Sequence, residues 1–133
     1  MTPSPYLFFD GNCEEALEFY AGLFGASVET LARYAGSPAA AMVPPDWGDK
    51  ILYALLKLGD GVIHASDAPP GRYFQPQGFS VSVAVEDLEK GRAAFDALSE
   101  GGQVFMPFAP SFFAKGFGML SDRYHIPWMI NCD

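Results

Sequence analysis

The chain has 133 residues, of which 50% are hydrophobic, 15% aromatic and 18% charged. A chain of this size and apolarity buries roughly two-thirds of its unfolded surface, so one folded domain is expected and disorder is excluded. Sixteen acidic residues oppose eight basic ones, for a net charge of −8, and the Lys and Arg stand singly, which argues against nucleic acid as a partner. No apolar run approaches the ~20 residues of a membrane span, and no basic segment precedes an apolar one at the start. A soluble, cytoplasmic protein with no membrane partner is the expectation.

Pro5-Tyr6-Leu7-Phe8-Phe9 is a short apolar run ended by the turn-like Asp10-Gly11, and it reads as a buried strand. Asn12 then looks like a helix N-cap with Glu15 completing a box-like signature. Ala16, Leu17, Tyr20, Leu23 and Phe24 fall on one helical stripe, and Gly25 is placed to stop it. Cys13, just inside that helix, could have its thiol pKa lowered by the helix dipole, although packing is the simpler role. Cys13 and Cys132 are expected to be free thiols.

Val28 to Tyr34 predicts a second strand. A Gly/Ser/Pro/Ala stretch over 36–41 and a polar turn over 44–49 lead to Ile51–Leu58 and Val62–Ser66, joined by the hairpin signal Gly59-Asp60-Gly61. Residues 69–78 read as a linker. Phe79–Val85 then alternates as a strand, and Asp87 caps a helix carrying Leu88, Gly91, Phe95 and Leu98, ended by Gly101-Gly102. Gln103–Met106, Phe117–Ser121 and Ile126–Asn131 predict three more strands, with a Phe-rich loop (Phe108, Phe112, Phe113) among them. Each half therefore reads β-α-β-β-β. A shift of 75 residues sets Asn12 on Asp87, Glu14 on Glu89 and Leu23 on Leu98, which points to a duplicated module. The chain divides into module one (1–68), the linker (69–78) and module two (79–133). There is no CxxC, HExxH, GxxxxGK or GxSxG motif.

A paired βαβββ module resembles the vicinal oxygen chelate superfamily, which includes glyoxalase I, extradiol dioxygenases and bleomycin-resistance proteins. The opening Tyr6-Leu7-Phe8-Phe9-Asp10-Gly11-Asn12-Cys13-Glu14-Glu15-Ala16-Leu17-Glu18-Phe19-Tyr20 and the ending Phe117-Gly118-Met119-Leu120-Ser121-Asp122-Arg123-Tyr124-His125-Ile126-Pro127-Trp128-Met129-Ile130-Asn131-Cys132 resemble its PhnB-like branch. The resemblance implies an α+β fold in which two βαβββ modules form an open, cup-like mixed sheet with the helices outside. It also implies a homodimer. Members of the branch are sometimes labelled demethylubiquinone methyltransferases, but no Gly-rich nucleotide loop for S-adenosylmethionine is found here.

In metal-using members of the superfamily, the first and last strands of each module supply one ligand each. The resemblance carries those places to Pro5 and His64 in module one and to Ser80 and Met129 in module two. Pro has no donor atom, Ser is weak and a Met thioether is a poor donor to a hard ion, so only His64 could bind well. A slip in register brings in Asp67, Tyr6, Phe79 or Ile130, and of these only Asp67 would help. The expectation is therefore no cofactor and no metal. A divalent metal belongs only to the alternative, a lyase, isomerase or dioxygenase of the glyoxalase type.

His64 is the candidate catalytic residue, because an imidazole can act as an acid–base group near neutral pH. Ser80, Ser82 and Asn131 are expected to orient a ligand, with Phe9, Trp47, Tyr53, Phe112, Phe113 and Met129 as an apolar wall. His125, Asp122 and Arg123 read as residues of the final turn. The expected function is small-molecule binding in an apolar cup. A third possibility is a protein–protein module using the Phe-rich loop.

Overall fold

The computed structural model covers residues 1–133. Two compact units emerge, Met1–Phe74 and Gln75–Asp133, and each is a four-stranded mixed sheet with one α-helix. The first unit runs β1 (Tyr6–Phe9), α1 (Cys13–Phe24), β2 (Ser27–Arg33), β3 (Ile51–Leu58) and β4 (Gly61–Asp67). Its strand order is β1-β4-β3-β2, with β1 parallel to β4 and the other pairs antiparallel. The second unit repeats the plan with β5 (Val81–Val85), α2 (Leu88–Ser99), β6 (Gln103–Ala109), β7 (Gly116–Ser121) and β8 (Pro127–Cys132), in the order β5-β8-β7-β6. Both units are βαβββ modules, and the fold is α+β. The Gly/Ser/Pro/Ala stretch and the polar turn before β3 carry two 3-10 turns, Pro38–Met42 and Pro45–Trp47.

Helix α1 buries Ala16, Leu17 and Tyr20 of the predicted stripe and also Cys13, leaves Leu23 and Phe24 half-buried, and packs against β2, β3 and β4. Gly25 closes it in the left-handed region (φ 65°) that a residue without a Cβ adopts freely. Its start differs from expectation. The Asn12 side chain makes no cap hydrogen bond. The acceptor is instead Asp67, at the end of β4, whose Oδ1 receives the Cys13 N–H at 2.9 Å while Oδ2 receives the Ile51 N–H at 2.9 Å. One carboxylate thus ties helix start, β3 and β4 together. Helix α2 is capped locally, as expected: Asp87 Oδ1 accepts from Glu89 N at 2.8 Å and Lys90 N at 3.3 Å.

In the second unit β6 runs three residues beyond the predicted Met106, which takes Phe108 out of the loop and into the core. Its ring lies 5.7 Å from Phe95, with the Arg92 guanidinium 5.2 Å above it. Gly118 on β7 makes room for this packing, since a Cβ there would meet Phe95 at 2.5 Å. Asp122 holds the last hairpin: Oδ1 accepts from Tyr124 N (2.8 Å) and Ile126 N (3.0 Å), and Oδ2 from Trp128 Nε1 (2.8 Å). His125 completes that turn at φ 69°.

Candidate functional site

Each sheet buries one face under its own helix, and strand parity decides which side chains are left on the other. In β1 the alternation is sharp: Leu7 and Phe9 are buried, while Tyr6 and Phe8 are 42% and 51% exposed. Phe9, expected in the apolar wall, is a core residue on the helix side. The parallel register sets Tyr6 opposite His64 and Leu7 opposite Ala65, so His64 shares the face of Tyr6 and Phe8. Tyr53 reaches that face from β3.

These four rings form one patch. Tyr53 Oη and His64 Nδ1 are 2.8 Å apart. The Tyr6 ring stacks on the imidazole, with centroids 6.0 Å apart and planes 11° apart, and lies 4.9 Å from Phe8 and 6.4 Å from Tyr53. The Tyr53 bond fixes the imidazole orientation through Nδ1, and Nε2 has no partner in the chain. When Tyr53 donates, Nε2 carries the proton and is a donor; with the other tautomer, Nε2 accepts. The patch therefore presents one hydrogen-bonding nitrogen beside mutually tilted aromatic rings. A hollow of about 300 Å³ adjoins Phe8 and is lined by Ala68, Pro69, Arg72 and Phe74 as well.

Trp47 is not part of the patch. It lies on the second 3-10 turn, edge-on to the buried Tyr34 at 6.3 Å. Tyr34 donates its hydroxyl to the Asp67 carbonyl at 2.8 Å, and burial together with the Asp67 charge holds that phenol above its ordinary pKa. Burial, then the charges of Asp67 and Glu14, pushes the Cys13 thiol up as well, which overrides any dipole effect. Burial is also the main cause of the raised Asp67 pKa, against the opposing pull of its backbone donors.

In the second unit Ser82 pairs with Met129 and Ala84 with Asn131, all on the face away from the buried Trp128, Ile130 and Cys132. Asn131 donates through Nδ2 to Asp133 Oδ1 at 2.9 Å, while its buried Oδ1 has no partner. Ser80, just before β5, lies at a cleft of about 560 Å³ together with Gln103, Phe105, Met119, His125 and Pro127. Phe112 is fully exposed at the loop tip, touching Phe113 edge-on at 5.1 Å.

The superfamily's metal places do not fit a divalent ion. Pro5 offers only its carbonyl, which already accepts the His64 N–H at 3.0 Å. His64 has Nε2 to offer, its Nδ1 being engaged by Tyr53, but it stands alone among these places, and Asp67 is spent on backbone N–H groups. Ser80 and Met129 present a hydroxyl and a thioether. Nowhere do three His, Cys, Asp or Glu side chains gather in a way that could hold a metal.

Against known proteins, residues 2–131 match the family described as 3-demethylubiquinone-9 3-methyltransferase. This chain belongs to that PhnB-like family. Protein YjdN of Escherichia coli is 32% identical, over 98% of this chain and 95% of its own. The crystal structure of protein PA1353 from Pseudomonas aeruginosa is 40% identical, with TM-score 0.90, covering 100% of this chain and 98% of that one. A PhnB protein from Bacillus cereus (24% identical, TM-score 0.84, 100% of both chains) shares the fold. So does a glyoxalase/bleomycin resistance protein/dioxygenase family enzyme from Burkholderia phytofirmans (13% identical, TM-score 0.65, 96% of this chain and 94% of that one).

The patch combines residues the sequence singled out (Tyr53, His64) with two it did not (Tyr6, Phe8). The signal for those two was the parallel pairing of β1 with β4, which sets the parity of an otherwise uniformly apolar strand.

Proposed function

We propose that this protein binds a small molecule on the strand face carrying Tyr6, Phe8, Tyr53 and His64, without the superfamily's metal, and that it acts as a cytoplasmic homodimer. The observation that carries the reading is the 2.8 Å Tyr53–His64 pair on an aromatic floor. A hydrogen-bonded imidazole with one free nitrogen is a preorganised polar anchor, and the rings around it supply apolar contact. If a reaction follows binding, His64 is its acid–base group. On the second unit taken by itself, Ser82, Met129 and Asn131 are proposed as ligand-facing residues of its own open strand face, with Ser80 just before β5.

Two observations support the assembly and compartment. Val104, Phe105 and Met106 on the sheet-edge strand β6, with Phe112 and Phe113 after it, are exposed, and no charge falls within residues 103–114 of a chain carrying −8. A neutral apolar edge suits self-association of an acidic protein. Both cysteines are free and buried, as suits a reducing compartment, and no helix is long and apolar enough to cross a membrane.

Equilibrium dialysis against the low-molecular-weight fraction of a bacterial extract tests the site. The wild type should concentrate at least one compound, and His64→Ala and Tyr53→Phe should lose most of that retention while keeping the wild-type circular dichroism. Equal retention by all three proteins would move the site elsewhere.

A further inference from the structure

We propose that the hollow beside Phe8 takes an apolar carboxylate, with Phe8 and Phe74 against its hydrocarbon and the Arg72 guanidinium on its acid group. The inference rests on the small-molecule reading above and names the ligand's class. Three features converge. The hollow, about 300 Å³, lies at the lower end of small-ligand cavities and is lined by Phe8, Ala68, Pro69, Arg72 and Phe74 only. Phe74 is 83% exposed and Phe8 51%, so two uncovered aromatic rings line one depression. Arg72 is the one charged group in that lining, and its guanidinium has no carboxylate, carbonyl or ring partner in the chain.

Other arginines are committed. Arg33 is bidentate to Glu14 at 2.8 and 2.9 Å, Arg92 donates to the Phe108 carbonyl and Arg123 lies over the Tyr124 ring. On a chain with sixteen acidic side chains, a cation left without an anion beside an apolar hollow matches a ligand that brings its own negative charge. A guanidinium holds a carboxylate with two parallel N–H···O bonds, whereas an alcohol or amide of the same shape offers no such partner. The other two hollows have different chemistry. One is lined by Glu14, Glu15, Glu18, Asp49 and Asp67 against a single Lys50, and the other by Gln and Ser side chains with Asp122 and His125 and no Lys or Arg.

Calorimetric titration of the full chain with octanoate, 1-octanol and butanoate tests this, with Arg72→Gln and Phe74→Ser alongside the wild type. Octanoate should bind the wild type about fivefold more tightly than octanol, the range of a single exposed ion pair. It should also bind at least about tenfold more tightly than butanoate, since each buried methylene adds several-fold. Arg72→Gln should abolish the preference over octanol while still binding both. Phe74→Ser should weaken both. Equal binding of octanoate and octanol by the wild type, or a preference that survives Arg72→Gln, would overturn the assignment. Should the dialysis above still show a His64-dependent compound, the small-molecule reading would stand and only the ligand class would fall.

Discussion

Replacing Asp67 with Asn changes one atom in a buried side chain that ties the start of α1 to β3 and β4. The carboxylate is 1% exposed and accepts the Cys13 and Ile51 N–H groups, both at 2.9 Å. The carboxamide keeps one oxygen acceptor but turns an NH2 toward the other N–H, so one buried donor loses its partner and the remaining bond loses its charge assistance. A bond to a charged group contributes about 1.5–3 kcal/mol, and an orphaned buried donor costs about 1–3 kcal/mol. Against this, the variant no longer buries a charge, an expense visible in the raised Asp67 pKa. The balance is a loss of about 2–3 kcal/mol, on the order of 10 °C in Tm for a chain of this size. Asn12→Ala, at the residue that resembles a cap in the sequence, should cost under about 0.5 kcal/mol, because that side chain makes no cap bond. Urea unfolding of the three proteins by circular dichroism decides between them. An Asn12 variant as unstable as the Asp67 variant would refute the long-range cap.

Tyr34 is held protonated above its ordinary value, so its stabilisation is complete below a phenol's unfolded pKa near 10 and is lost as pH rises through the folded value. The urea midpoint of the wild type should therefore fall more steeply between pH 9 and 11 (about the phenol range) than that of Tyr34→Phe, and parallel curves would contradict this. Cys13, buried with its thiol pKa raised, should resist iodoacetamide at pH 8 (roughly the pKa of a free thiol) in the native protein and react on unfolding, as peptide mass mapping can read. Gly118→Ala should destabilise by about 1–3 kcal/mol through overpacking against Phe95, and an unchanged unfolding midpoint would show that the helix shifts freely. Phe105→Glu combined with Phe112→Asp should convert a dimer to a 14.4 kDa monomer in light scattering, and a persisting dimer would exclude the β6 edge as the contact.

Much of the architecture was legible because both helices carry their apolar residues at helical spacing and the hairpin at Gly59-Asp60-Gly61 sits between apolar runs. The duplicated order β-α-β-β-β followed from the same periods. What stayed hidden was non-local. The cap of α1 comes from Asp67, 54 residues beyond Cys13, and no local pattern announces it. Strand β1 reads Tyr-Leu-Phe-Phe, with no polar residue to mark a side, so its pairing with β4, not its composition, placed Phe9 in the core and Tyr6 beside His64. Phe108 looked like a loop residue because Pro107 and Pro110 flank it, yet edge strands tolerate Pro and β6 continues through to Ala109. His64 was conspicuous as a lone polar ring in Val62-Ile63-His64-Ala65. Its partner Tyr53 reads in the sequence only as an apolar wall residue, since a contact between neighbouring strands depends on register.

Native mass spectrometry of the untagged chain, purified gently and then titrated with Ni²⁺, Zn²⁺, Mn²⁺ and Fe²⁺, tests the central claim most directly. The account predicts a small molecule retained on the wild type, lost from His64→Ala, and no stoichiometric metal on either. Bare polypeptide in both proteins, or one divalent ion held per chain through dilution, would contradict it.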